Sequence, residues 1–110
     1  MKINPKKKGY RGEALAVDLM KKLGFKDARR GLSQSLGALE ADVVSSGTSA
    51  YWIEVKNQQG ATKVWEWLEQ AERDSQNTPK IPLVLYKSNN KKFLIIGDAE
   101  YLLPILCNHT

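Results

Sequence analysis

Only one of the 110 residues is cysteine, Cys107, and only one is histidine, His109. A single thiol closes no intrachain disulfide and is consistent with a reducing compartment. His109, next to last, has no partner with which to build a metal or triad motif. No apolar run is long enough to span a membrane, and the N-terminus lacks a secretory hydrophobic region, so we expect a cytoplasmic protein with no membrane partner. Repeats, long linkers and low-complexity blocks are also missing, which argues for one domain. At 42% hydrophobic content a core is possible, but so short a chain exposes much of its surface, and a homodimer would cover more of it.

Positive charge is what the chain does have: 17 basic against 12 acidic residues, a formal +5. That balance suits a nucleic-acid partner whose affinity falls steeply with salt. Residues 1–8, with Lys6, Lys7 and Lys8, are expected to form a mobile basic arm, solvated or touching phosphate. Residues 9–110 form the domain.

The segment Tyr51-Trp52-Ile53-Glu54-Val55-Lys56 carries the chemistry. Along a strand, Trp52, Glu54 and Lys56 emerge on one face while Ile53 and Val55 point the other way. Residues 41–45 read as a second strand, with Ser46-Gly47-Thr48-Ser49 as the link. A hairpin centred on Thr48 sets Asp42 opposite Glu54 on the same face, and a slip of one residue would move it to the other side. Two carboxylates facing each other across a ladder repel unless a cation sits between them. Oxygen donors without a Cys or His cluster favour a hard ion, Mg2+ or Mn2+.

Asp42, eleven intervening positions and then Glu54-Val55-Lys56 resemble the signature of the PD-(D/E)XK nuclease superfamily, with Ala41 where a Pro usually precedes the Asp. The resemblance implies that Asp42 and Glu54 bind the metal, that the Val55 carbonyl adds a ligand, and that Lys56 assists the attacking water. It also implies a restriction-endonuclease-like core.

Gly9-Tyr10-Arg11-Gly12-Glu13 opens a helix running to about residue 22, with Leu15, Leu19 and Leu23 at helical spacing and Gly24 as its stop. Glu13 falls in its first turn, on the stripe continued by Val17 and Met20. By itself it reads as an acid favoured by the helix dipole. Ahead of the hairpin it resembles the helical Glu that completes the metal site in Holliday-junction resolvase-like members. Residues 26–39 contain Arg29, Arg30, Gly31, Ser33, Gln34, Ser35 and Gly37, either a solvated loop or a phosphate-contacting one. Small phage-encoded and archaeal resolvase-like nucleases have a similar segment there. Arg11 and Lys63 are counted with these DNA contacts.

A second helix is expected from about residue 62 to 75, capped by Thr62, with Val64, Trp65, Leu68 and Ala71 as its buried stripe. Gln70 shares a neighbouring face with Trp67, Lys63 and Asp74. It resembles the Gln with which some related nucleases line the active site. The three tryptophans read as packing or as base-stacking platforms; Trp65 is assigned to packing, and Trp52 is a candidate wall of the site. Strands follow at 81–87 and 93–96, their apolar runs implying cover on both faces. Asp98 caps a last helix through about residue 103, which Pro104 ends.

The order α-β-β-β-α-β-β-α suits an α/β domain with a mixed central sheet flanked by helices. The expectation is a Mg2+-dependent (or Mn2+-dependent) DNA endonuclease, similar to resolvase-like enzymes of phages or prophages. Glu13, Asp42, Glu54, Lys56 and Gln70 form its site, branched DNA is its substrate, and it works as a homodimer. Two alternatives remain: an inactive DNA-binding or assembly subunit, and a restriction- or repair-type nuclease acting on linear duplex.

Overall fold

The computed structural model describes residues 5–32 and 40–108, and residues 5–7 through their backbone alone. Helix α1 (Pro5–Lys22) leads into strands β1 (Arg29–Arg30) and β2 (Val43–Val44), and a 3-10 turn, Ser46–Thr48, joins β2 to β3 (Tyr51–Asn57). Then come α2 (Val64–Ser75), β4 (Ile81–Lys87), β5 (Leu94–Gly97) and α3 (Ala99–Leu106). The five strands form one sheet in sequential order, antiparallel throughout except for β3 and β4, which run parallel across the α2 crossover. The α/β class and the mixed sheet expected from the element order are present.

Alternation divides the core. Ile53, Val55, Leu83 and Leu85 pack with Ala16, Val17 and Met20 of α1, whereas Val84 and Tyr86 pack with Trp67 and Leu68 of α2. Trp52, Ala41 and Ala71 form a third apolar cluster. Helix α1 stops where Gly24 adopts a φ of 106°, which leaves the Gly24 and Phe25 N–H groups to bond the Lys21 and Met20 carbonyls. This is the Schellman end that a glycine allows. A Cβ on Gly12 would lie 2.6 Å from Cβ of Asn57, so the glycine lets α1 approach the end of β3 closely. Asn57 Nδ2 donates to the Lys8 carbonyl at 3.3 Å across that approach.

Several boundaries differ from expectation. Helix α1 begins at Pro5, a residue suited to the first helical position because its missing N–H has no intrahelical partner there. Lys6–Lys8 are therefore helical rather than a free arm, and Glu13 lies well inside the helix, which removes the first-turn dipole reading. Helix α2 starts at Val64, with Lys63 at the cap position and no side-chain cap. Its buried residues are Trp67, Leu68, Ala71 and Ser75, and Trp65 is 76% exposed, so Trp65 lies off the sheet-facing stripe to which it was assigned. Asp98 does cap α3, accepting from the Glu100 N–H at 2.7 Å, but the helix runs through Pro104 to Leu106. Strand β4 is covered on both faces as expected; β5 is an edge, with Leu94 58% and Ile95 65% exposed. Among the described residues no helix is long and apolar enough to cross a membrane.

Candidate active site

Val43 pairs with Ile53, which is the register of a hairpin centred on Thr48 and brings Asp42 level with Glu54. The ladder then changes character. The Asp42 N–H donates to the Ile53 carbonyl at 3.1 Å, and Asp42 Oδ2 accepts from the Val55 N–H at 2.8 Å. Because the carboxylate takes an amide a neighbouring strand would bond, β2 is confined to Val43–Val44 instead of spanning 41–45.

Glu54 is only 4% exposed, and its Oε1 accepts from Trp52 Nε1 at 3.0 Å. Burial, reinforced by the charge of Asp42 and by hydrogen bonding with Asp42 and Asp74, pushes the Glu54 carboxyl up to about 9 against the Trp52 N–H, which favours the ionised form. On the same side of β3, Lys56 Nζ donates to Gln70 Oε1 of α2 at 3.0 Å. Glu13 of α1 accepts from Nε of Arg30 at 2.9 Å and is ion-paired with its Nη2 at 2.9 Å, and the guanidinium lies 4.0 Å from the centroid of the Tyr10 ring. Burial raises the Glu13 carboxyl, the Arg30 hydrogen bond opposes that rise, and the charge of Asp42 adds to it.

Glu13, Asp42, Glu54, Val55, Lys56 and Gln70 line one open cleft of about 580 Å³. Every residue assigned to catalysis or metal binding from the sequence is thus on its wall. Asp74 also lines it, a residue the sequence reading left without a role. Its signal was available: Asp74 is four residues after Gln70 and so shares its helix face.

In kind, these donors fit a hard divalent ion, since they are carboxylates and a carbonyl without thiol or imidazole. The crowding of Asp42 and Asp74 against buried Glu54 is relieved by a proton or by a cation. In arrangement the cage is open: among the described residues no group of three or more His, Cys, Asp or Glu side chains is disposed to hold a metal ion. Glu13 is engaged by Arg30 and Asp42 by the Val55 amide.

The expected DNA contacts divide. Lys8 lines the cleft, while Arg11 and Lys63 are exposed. Arg29 grips Glu40 through two bonds of 2.8 Å, and Arg30 grips Glu13, so neither guanidinium is the free phosphate donor that a flexible loop suggested. The pairing of β1 with β2 brings both arginines to these acids. Ser33, Gln34 and Ser35, and the side chains of Lys6 and Lys7, lie outside the described residues. Trp52 is not a wall of the cleft: it is buried beneath it, where its link to the site is the bond to Glu54, and Trp67 packs on Tyr86 with ring centroids 5.2 Å apart.

No protein-family model, curated protein or solved structure gives a significant match to the chain.

Proposed function

We propose that the chain is a Mg2+- or Mn2+-dependent DNA endonuclease of the PD-(D/E)XK kind, hydrolysing phosphodiester bonds in branched DNA and working in the cytoplasm. The observation that carries this reading is the meeting of Glu13, Asp42, Glu54, Val55, Lys56 and Gln70 on one cleft. Glu13, Asp42 and Glu54, with the Val55 carbonyl, are the groups that would hold the ion. When bound, the ion would stabilise charge developing on the phosphate and lower the pKa of a water molecule. Lys56, steered by Gln70, orients the attacking water and assists its deprotonation. Trp52 fixes the Glu54 carboxylate from the apolar side.

The test is cleavage of a four-way junction and of linear duplex with the same sequence, with and without Mg2+. Wild type should nick the junction in preference, and Asp42→Asn and Lys56→Ala should leave DNA bound but uncut. Equal cleavage of both substrates would replace the resolvase reading with a general endonuclease. The engagement of Glu13 by Arg30 and of Asp42 by the Val55 amide favours a second reading, an inactive DNA-binding subunit; binding without any Mg2+-dependent cleavage by wild type would establish it.

A second copy of the chain is the partner proposed for a separate, apolar face of the molecule. There an apolar groove of about 850 Å³ is walled by Leu23, Ile95, Ile105 and Leu106 and edged by Lys87, Lys91 and Lys92. Helix α3 carries Glu100 and no basic residue, so a two-fold pairing can bring the acid of one α3 to the lysine edge of the other. Leu106→Glu, at an exposed position, should convert a dimer to a monomer in sedimentation velocity. A monomeric wild type at high protein concentration would end this assignment.

A further inference from the structure

A second concavity, of about 410 Å³, adjoins the cleft and shares Lys8 and Asn57 with it. Its other polar walls are Arg11, Lys87, Asn89 and Asn90, and none of the described residues lining it is acidic. It is built at the carboxyl ends of the parallel pair, where Asn57 and Lys87 are in register. Open α/β sheets bind ligands at such strand ends. The surrounding frame is tied down: the Gln58 N–H bonds the Lys87 carbonyl at 3.0 Å, and Gln59 Oε1 accepts from Ser88 Oγ at 2.9 Å and from the Asn89 N–H at 3.1 Å. Asn90 holds a φ of 59°, a left-handed conformation that asparagine tolerates better than most residues.

We infer that this concavity is a phosphate-backbone subsite, which takes the DNA strand as it leaves the cleft and sets its register on the protein. Cationic and amide donors with no opposing carboxylate match phosphate oxygens and carry no base information. The division of labour with the neighbouring cleft is electrostatic. Carboxylates crowd where the ion would sit, and the compensating positive charge stands one step along the strand. Sequence reasoning reached Lys8 and Arg11 but not Lys87, Asn89 or Asn90, because the hairpin following β4 offered no motif. The assignment deepens the nuclease reading and rests on it for the destination of the strand.

The experiment is fluorescence anisotropy of a labelled four-way junction and a labelled duplex in EDTA, so that no cleavage intervenes, over a range of salt. Arg11→Ala and Lys87→Gln should each raise Kd several-fold, and each should lower the slope of log K against log salt by about 1. Asn90→Gly keeps the left-handed backbone and should weaken binding without unfolding the turn. Lys22→Ala, which removes an equal charge from the exposed far end of α1, is the reference. If Arg11→Ala and Lys87→Gln match Lys22→Ala in Kd and slope, the subsite is overturned, whatever the cleavage assays show. If wild type binds with the expected Arg11 and Lys87 dependence but never cleaves, the subsite stands and the nuclease reading falls.

Discussion

Glu54→Gln should reduce Mg2+-dependent cleavage by a factor on the order of 10³, the scale on which enzymes lose rate when one group stabilising transition-state charge is removed. It should also stabilise the metal-free protein in alkaline solution. Glu54 has its carboxyl raised from an ordinary 4.5 to about 9 by burial, with Asp42 and Asp74 adding to the rise. A carboxyl raised in this way binds its proton more tightly in the folded chain than in the unfolded one. Its contribution to stability is complete below about 4.5 and is lost as pH climbs toward about 9. Thermal melts of wild type in EDTA should therefore fall between pH 5 and pH 9, and the neutral glutamine should flatten that fall. Parallel melting profiles for the two proteins would mean that Glu54 does not carry the burden assigned to it. Adding Mn2+ at pH 8 should raise the melting temperature of wild type and leave that of Glu54→Gln in place.

Trp52 should show a comparably large effect, this time on the fold. It is 2% exposed and packs with Ala41 and Ala71. Trp52→Ala would empty the space beneath the site at a cost of about 3–5 kcal/mol, a large part of the roughly 5–15 kcal/mol that holds a domain together. Trp52→Phe separates the two roles of the indole. It keeps a ring in the cluster but deprives Glu54 Oε1 of its donor, a loss of about 1–3 kcal/mol for a buried polar group. Urea melts should rank the proteins wild type, Trp52→Phe, Trp52→Ala. The Phe variant should also bind Mn2+ less tightly, because nothing then holds the Glu54 carboxylate in place. Unchanged ion binding in a folded Trp52→Phe protein would refute the positioning role of the indole.

The parts legible in the sequence are those fixed by local rules. Period-two alternation put Glu54 and Lys56 on one face; the turn residues around Thr48 set the level of Asp42; Gly24 and Asp98 marked helix ends through their own backbone and side-chain chemistry. The missing parts depend on what a residue meets across space. Arg29 and Arg30 read as loop donors until β1 pairs with β2 and presents them to Glu40 and Glu13. Trp65 is as apolar as Trp67, and only the direction from which the sheet approaches α2 decides which is buried. Asp74 gains a role only once Glu54 lies beneath it.

Among the described residues strand β5 has no partner on its outer edge, and its Leu94 and Ile95 are exposed. An edge of that kind is a template onto which any extended chain can add, including another molecule caught part-way through folding. Lys91 and Lys92 stand just before the strand, separated from it by Phe93, and make uncontrolled strand addition electrostatically costly, as gatekeeper charges do beside aggregation-prone segments. Neutralising those two ammonium groups would therefore expose the chain to fibrillar association while leaving the residues of the cleft unchanged.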